Sequence, residues 1–172
     1  GDDGRILRSP NAGAWDAEAS GTSATLRDVV FGEDVFVAVG DGGTILSSDD
    51  GATWTAESSG VASDLRGVGF GDGLFVAVGT SGTILTSPDA VTWTLQDAGT
   101  SGTLQDVEHA LGLHVVVGND GLLLTSSDGV DFERRDAETD HDLEGVAYGK
   151  GLFVAVGDGA TIRNSENGLD WF

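Results

Sequence analysis

The sequence predicts an all-β fold, a β-propeller of four-stranded antiparallel blades, about five in number with one incomplete. Three observations carry the prediction. An apolar block, Phe36-Val37-Ala38-Val39-Gly40, recurs from Phe75, His114 and Phe153, each step 39 residues with no insertion. A second block, Gly43-Thr44-Ile45-Leu46-Ser47-Ser48, has counterparts from Gly4, Gly82, Gly121 and Gly159. An aromatic residue closes each unit, at Trp15, Trp54, Trp93, Phe132 and Trp171. Self-similarity at such a period marks stacked supersecondary units, and four strands in about 40 residues is the size of a propeller blade.

The elements of one unit follow in order. Leu26 to Phe31 typifies the first strand. Val35 to Val39 is the second, an apolar run suited to burial on both faces. Thr44 to Ser48 is the third, and the fourth starts at Trp54. Glycine-rich turns such as Gly40-Asp41-Gly42-Gly43 and Gly71-Asp72-Gly73 separate them. The count of 28 Gly against 2 Pro fits many tight turns, and 39% hydrophobic residues suffice for a core. No stretch has useful helical periodicity. The units fall at about 21–59, 60–98, 99–137 and 138–172 of a single propeller domain, 1–172. Residues 1–20 supply only a third and a fourth strand. Two arrangements accommodate that half unit. In the favoured one the molecule is a five-bladed ring whose fifth blade is a half-blade, or is completed by residues outside this sequence. In the other, the loose hairpin pairs with a neighbouring chain, because an unpaired strand edge is a template for strand addition.

The link between third and fourth strands reads Ser47-Ser48-Asp49-Asp50-Gly51-Ala52-Thr53-Trp54, with looser copies at Ser87, Asp89 and Trp93 and at Ser126, Asp128 and Phe132. A Ser followed two places later by Asp or Asn also persists at Ser9/Asn11 and Ser165/Asn167. Such residues accept hydrogen bonds from backbone N–H groups just ahead of them, and the Trp packs over the turn, so the expected role is structural. The pattern S-x-D-x-G-x-T-W resembles the Asp-box, or BNR, repeat of sialidase-type propellers and of propellers related to photosystem II assembly factors. The resemblance spans nearly the whole chain and implies the fold. It implies little about activity, because one fold hosts many functions. Sialidase-type members hold a substrate carboxylate with three arginines and use a Tyr–Glu nucleophile pair with an Asp acid. Here only Arg27 and Arg66 lie on inner strands, Gln105 and Glu144 take the equivalent places, and the one tyrosine, Tyr148, replaces Phe31 and Phe70 in a packing position. The expectation is that the chain is not an enzyme.

Charge narrows the partners. Asp plus Glu number 29 against 8 Lys plus Arg, a net charge of -21, with Lys150 the only lysine. That balance disfavours nucleic acid and anionic membrane surfaces, which need clustered cations. Dense Asp with almost no Lys is expected of a halophilic protein, whose self-repulsion is screened in concentrated salt, placed outside the cell or at its surface. There are no cysteines, so disulfides and thiolate sites are excluded. No apolar stretch approaches a membrane span, so membrane insertion is not expected.

Two groups of residues are candidates for chemistry. His109 and His114 occupy the places of the aromatic pairs Phe31/Phe36, Phe70/Phe75 and Tyr148/Phe153, facing each other across the first hairpin. Two imidazoles so placed can hold a metal together with Asp106 or Glu108, or simply replace a packed ring pair. The second group is Asp41, Asp64, Asp120, Asp140, Asp142 and Asp158, on the loops that share one face, beside Asn119 and His141. Convergent carboxylates there suit calcium or a cationic partner, or only solvation. No cofactor is otherwise implied: Gly40-Asp41-Gly42-Gly43 is a hairpin turn rather than a phosphate loop before a helix. The leading expectation is a non-catalytic binding or scaffold module that recognises another protein through its loops. The alternatives are a self-assembling subunit whose N-terminal hairpin completes a neighbour, and a carbohydrate-binding or glycosidase-like propeller.

Overall fold

The structure is a computed structural model that describes residues 1–172. Five antiparallel sheets follow one another along the chain. The first has only β1 (Ile6–Arg8) and β2 (Asp16–Glu18). Three complete blades follow: β3 (Leu26–Gly32), β4 (Val35–Gly40), β5 (Thr44–Ser48) and β6 (Thr55–Glu57); β7 (Leu65–Gly71), β8 (Leu74–Gly79), β9 (Ile84–Ser87) and β10 (Thr94–Gln96); β11 (Leu104–Ala110), β12 (Leu113–Gly118), β13 (Leu123–Ser126) and β14 (Glu133–Arg134). The last comprises β15 (Leu143–Gly149), β16 (Leu152–Gly157) and β17 (Thr161–Ser165). Phe172 begins its outer strand by exchanging two 3.1 Å backbone hydrogen bonds with Asn164. Within every blade each strand pairs with the next in sequence, so the blades are simple meanders.

The core lies between blades, which is why the second strand is apolar on both faces. Val37, Val39 and Ile45 of one blade pack against Leu65, Val68, Phe75 and Leu85 of the next. Val76, Val78 and Ile84 repeat the contact with Leu104, Val107, Val116 and Leu124, and Val115, Val117 and Leu123 with Leu143, Val146, Phe153 and Ala155. Polar stitches reinforce two of these junctions. A bulge after Leu26 turns Asp28 so that its carboxylate accepts the N–H of Val29 and, at 2.8 Å, that of Val68 in the next blade. Asp106 does the same for Val107 and Val146. Burial raises the Asp28 pKa, and the two backbone donors only partly offset it.

Glycine lets aromatic rings lie flat on the neighbouring backbone. A Cβ on Gly32 would strike the Phe70 ring, and one on Gly71 would strike His109.

The five sheets form an open arc. Val29 is 57% exposed, whereas its counterparts Val68, Val107 and Val146 are buried. At the other end Val156 and Ile162 are 46% and 61% exposed, although Val78 and Ile84 are fully covered. The favoured five-bladed ring is therefore matched in its count of sheets, including the half-blade, but Val29 of the second sheet and Val156 and Ile162 of the last stay bare. The reason lies in the half-blade. It has only the two outer strands, so Ile6 packs with Leu26, Ala38 and Leu46 while Val29 and Phe31 nearer the axis stay open.

Candidate functional site

The most individual surface of the molecule is the face formed by the turns after each second strand and the connections between blades. Each second strand ends in an extended glycine and passes into one 3-10 turn: Asp41–Gly43, Thr80–Gly82, Asn119–Gly121 and Asp158–Ala160. The following blade connection locks these turns. Asp64 accepts the N–H of Gly42 at 2.9 Å, and Asp142 accepts that of Asp120 at 2.8 Å. Asp64 also donates its own N–H to the Thr80 hydroxyl.

Of the six carboxylates expected on this face, three are thus occupied. Asp64 and Asp142 hold turns, and Asp41 pairs with the Arg27 guanidinium. Asp120, Asp140 and Asp158 are exposed. No group of three or more His, Cys, Asp or Glu side chains comes together in an arrangement able to hold a metal ion.

Immediately inside the turns runs a row that sequence reasoning noted only when testing for a sialidase triad. The residue after the first leucine of each inner strand is Arg27, Arg66, Gln105 and Glu144 in successive blades. The row is joined laterally: Arg66 Nη1 donates to Gln105 Oε1 at 3.3 Å, and Gln105 Nε2 donates to Asn119 at 2.8 Å and to Glu144 Oε1 at 3.5 Å. Arg27 is matched by Asp41 on its turn, whereas the turn beside Arg66 carries uncharged Thr80. The Arg66 Nε is buried with no hydrogen-bond partner. The face therefore runs from cationic to anionic along the arc. The signal was available in the sequence as variation at one repeat position while the flanking Leu and Val stayed fixed.

His109 and His114 pack as the other aromatic pairs do. Their ring centroids are 4.6 Å apart with a 55° tilt, against 4.7 Å and 55° for Tyr148 and Phe153. His109 Nε2 lies 3.3 Å from a carboxylate oxygen of Asp72 in the preceding blade. His114 is buried and its Nδ1 has no partner. Desolvation lowers its pKa to about 4, with His109 pushing the same way. Strand alternation puts Asp106 and Glu108 on the opposite face from His109, so neither is brought to the two rings.

The Ser-x-Asp turns form compact loops. Asp50 Oδ1 accepts the N–H groups of Ala52 and Thr53 at 2.8 and 2.7 Å, Ser48 Oγ accepts that of Gly51, and Trp54 Nε1 donates to the Gly51 carbonyl. Asp89 with Ser87 and Trp93 repeats the pattern, as does Asp128 with Ser126, where Phe132 takes the Trp place. The backbone donors of Thr92 and Val91 hold Asp89 down to about 2, and equivalent donors lower Asp50 and Asp128. These carboxylates are spent on their own loops.

No protein-family model matches the chain, and no curated protein does. Solved structures do match in shape. YCF48 bound to a D1 peptide superposes with a TM-score of 0.75 at 20% identity, over 96% of this chain and 60% of that one. YCF48 from Cyanidioschyzon merolae gives 0.69 at 17%, over 87% and 55%. The GH74 enzyme of Niastella koreensis gives 0.69 at 20%, over 99% of this chain but 29% of its own. The chain thus spans less than two thirds of the length of each. At these identities the likeness establishes one thing, that the arc is built as a β-propeller.

Proposed function

We propose that the chain is a non-catalytic protein-recognition module that reads its partner across the turn face. One observation carries this reading. The packing positions repeat from blade to blade as Leu26, Leu65, Leu104, Leu143 and Val29, Val68, Val107, Val146, while the row between them changes as Arg27, Arg66, Gln105, Glu144. Packing accounts for the constancy. It gives no reason for the graded charge, which suits a partner with an acidic segment over Arg66 and a basic one over Glu144, Asp120 and Asp158. The similar propeller seen with a peptide bound supports the same class of role. Against catalysis, Arg27 is neutralised by Asp41 and the Tyr148 ring is packed on Phe153. The module is assigned to the surface of a salt-loving cell on its net charge of -21.

The test is a display library of random peptides selected on the folded chain in molar salt and again in dilute buffer. Selected peptides should carry acid at one end and base at the other, and Arg66→Glu with Glu144→Arg should reverse that order. Selection of unbiased sequences, or of sequences indifferent to the double reversal, would sink the reading. A second reading, head-to-tail assembly, is favoured by the bare faces at Val156 and Ile162 and at Leu7 and Trp15. Light scattering at rising concentration separates it: a monomer throughout excludes it.

A further inference from the structure

Of the asparagines Asn11, Asn119, Asn164 and Asn167, only Asn167 is followed by glycine. In that setting the unhindered glycine nitrogen can attack the side-chain carbonyl carbon and expel ammonia. The fold imposes the pair. The turn needs an acceptor at 167, where Asn167 Oδ1 takes the N–H groups of Leu169 and Asp170 at 2.9 and 3.0 Å. It needs glycine at 168, where φ is +77° and a Cβ would lie 3.2 Å from both Leu113 and Phe153. The same turn also restrains the reacting atoms. The Gly168 N–H donates to the Oγ of fully buried Ser165 at 2.8 Å. That hydroxyl donates in turn to Asn167 Oδ1 at 3.1 Å, and Asn167 Nδ2 donates to Asp170 Oδ2 at 2.9 Å. Attacking nitrogen, carbonyl and leaving amide are each pinned.

We propose that Asn167 is a self-modification site, a deamidating asparagine that its turn holds shut through Ser165. When the turn opens, the Gly168 nitrogen gives its proton to solvent and bonds to Asn167 Cγ. The Cγ–Nδ2 bond breaks and the amide nitrogen leaves as ammonia. Water then opens the cyclic imide at either carbonyl, giving aspartate or isoaspartate. The two products differ in consequence. Aspartate is the residue already present at Asp50, Asp89 and Asp128, where Oδ1 accepts the same pair of backbone N–H groups. The turn should therefore survive that outcome with one more negative charge. Isoaspartate routes the main chain through the side chain and draws the acceptor away from Leu169 and Asp170. It should loosen the turn and release buried Trp171, whose Nε1 donates to the Gly168 carbonyl at 3.0 Å. The serine bond is shared with two inner turns, from Gly51 to Ser48 and from Gly129 to Ser126, whereas the labile amide is confined to this one. The site stands apart from the reading of the turn face.

The test keeps the folded protein in mildly alkaline buffer beside the same protein in urea. Trypsin, which cuts after Arg163, releases residues 164–172 from each sample. Mass reports the exchange of amide for acid, and separate elution resolves the isoaspartate form. The folded protein should convert at least about ten-fold more slowly than the unfolded one. Ser165→Ala should speed conversion in the folded protein about five-fold, the worth of one hydrogen bond. Ser165→Thr, which keeps the hydroxyl, should restore protection, and Ser126→Ala, the same loss in another turn, should leave Asn167 unaffected. Amide exchange at Gly168, which needs no substitution, should rise and fall with the conversion rate as salt is varied. Equal rates with and without urea, no conversion even in urea, or exchange that does not follow conversion overturns the proposal. So does a Ser126→Ala effect as large as that of Ser165→Ala. Slower conversion in Ser165→Ala also overturns it, since the hydroxyl would then relay a proton rather than restrain the turn. None of these results bears on Arg66, so failure here leaves the turn-face reading standing.

Discussion

His114 should make this protein acid-sensitive, and His114→Phe should remove most of that sensitivity. The side chain is buried, Nδ1 has no partner, and the pKa falls from 6.5 to about 4. Desolvation is the main cause. The groups around it are His109 across the hairpin, which pushes the same way, and Asp72 and Asp128, which oppose. A depressed histidine pKa means that the unfolded chain takes up a proton which the native chain refuses. Stability is therefore present above about pH 6.5 and drains away as pH falls toward about 4. The drop of about 2.5 units corresponds to about 3 kcal/mol at its limit, and to about 2 kcal/mol between pH 7 and pH 4.5. Phenylalanine is already accepted at the counterparts Phe36, Phe75 and Phe153. At neutral pH the substitution should stabilise by about 1 kcal/mol, because it removes an orphaned polar atom. Urea unfolding of both proteins at fixed salt, at about pH 7 and about pH 4.5, should show the gap widening by about 2 kcal/mol. A gap that stays constant, or narrows in acid, would refute the burial argument.

Other expectations follow from comparing equivalent positions. Gly71→Ala would drive a methyl into the His109 ring and should cost about 1–3 kcal/mol, whereas Gly149→Ala meets nothing and should be near neutral in thermal unfolding. Val107→Ala, in a sealed junction, should cost about 2 kcal/mol by chemical denaturation, and Val29→Ala, on the open face, well under 1 kcal/mol. Asp89→Asn should keep its turn, because Asn167 accepts the equivalent N–H groups of Leu169 and Asp170. A carboxylate held near 2 gives up its contribution as pH falls from about 3.8, so the variant should lose less melting temperature than the parent over that interval.

Much of the fold was legible because packing between blades repeats one solution. Leu26, Val29, Val37 and Val39 recur with the same chemistry wherever the same neighbours must be met, and the period follows directly. The state of the arc's ends was not legible, because Val29, Val156 and Ile162 read in sequence like their covered counterparts Val68, Val78 and Ile84, and only the presence or absence of inner strands beside them separates bare from buried. The loop carboxylates were legible as a group but not in their roles. Asp64 and Asp142 look like Asp140 and Asp158 in sequence. Only the turn that each meets, 22 residues away, separates an acceptor already engaged from one still free.

Internal repetition makes function detectable without any relative to compare. When four blades solve one packing problem, each position carries its own control. A residue that tracks the repeat is explained by the blade, and one that departs from it needs a cause outside packing. His114 departs and is still accommodated as a ring, at the expense of an unpartnered nitrogen and acid stability, so its departure is tolerated rather than required. Arg66 departs differently. It sits beside a turn that lacks the carboxylate found next to Arg27, and its buried Nε is left unmatched on a molecule with 29 acidic residues available to supply a partner. A buried donor without an acceptor costs about 1–3 kcal/mol. On so acidic a chain that vacancy is easily filled by one substitution, Thr80→Asp. The variant should stabilise the isolated chain and weaken capture of acidic peptides at the same time. Stabilisation without loss of capture would show that Arg66 serves the fold alone.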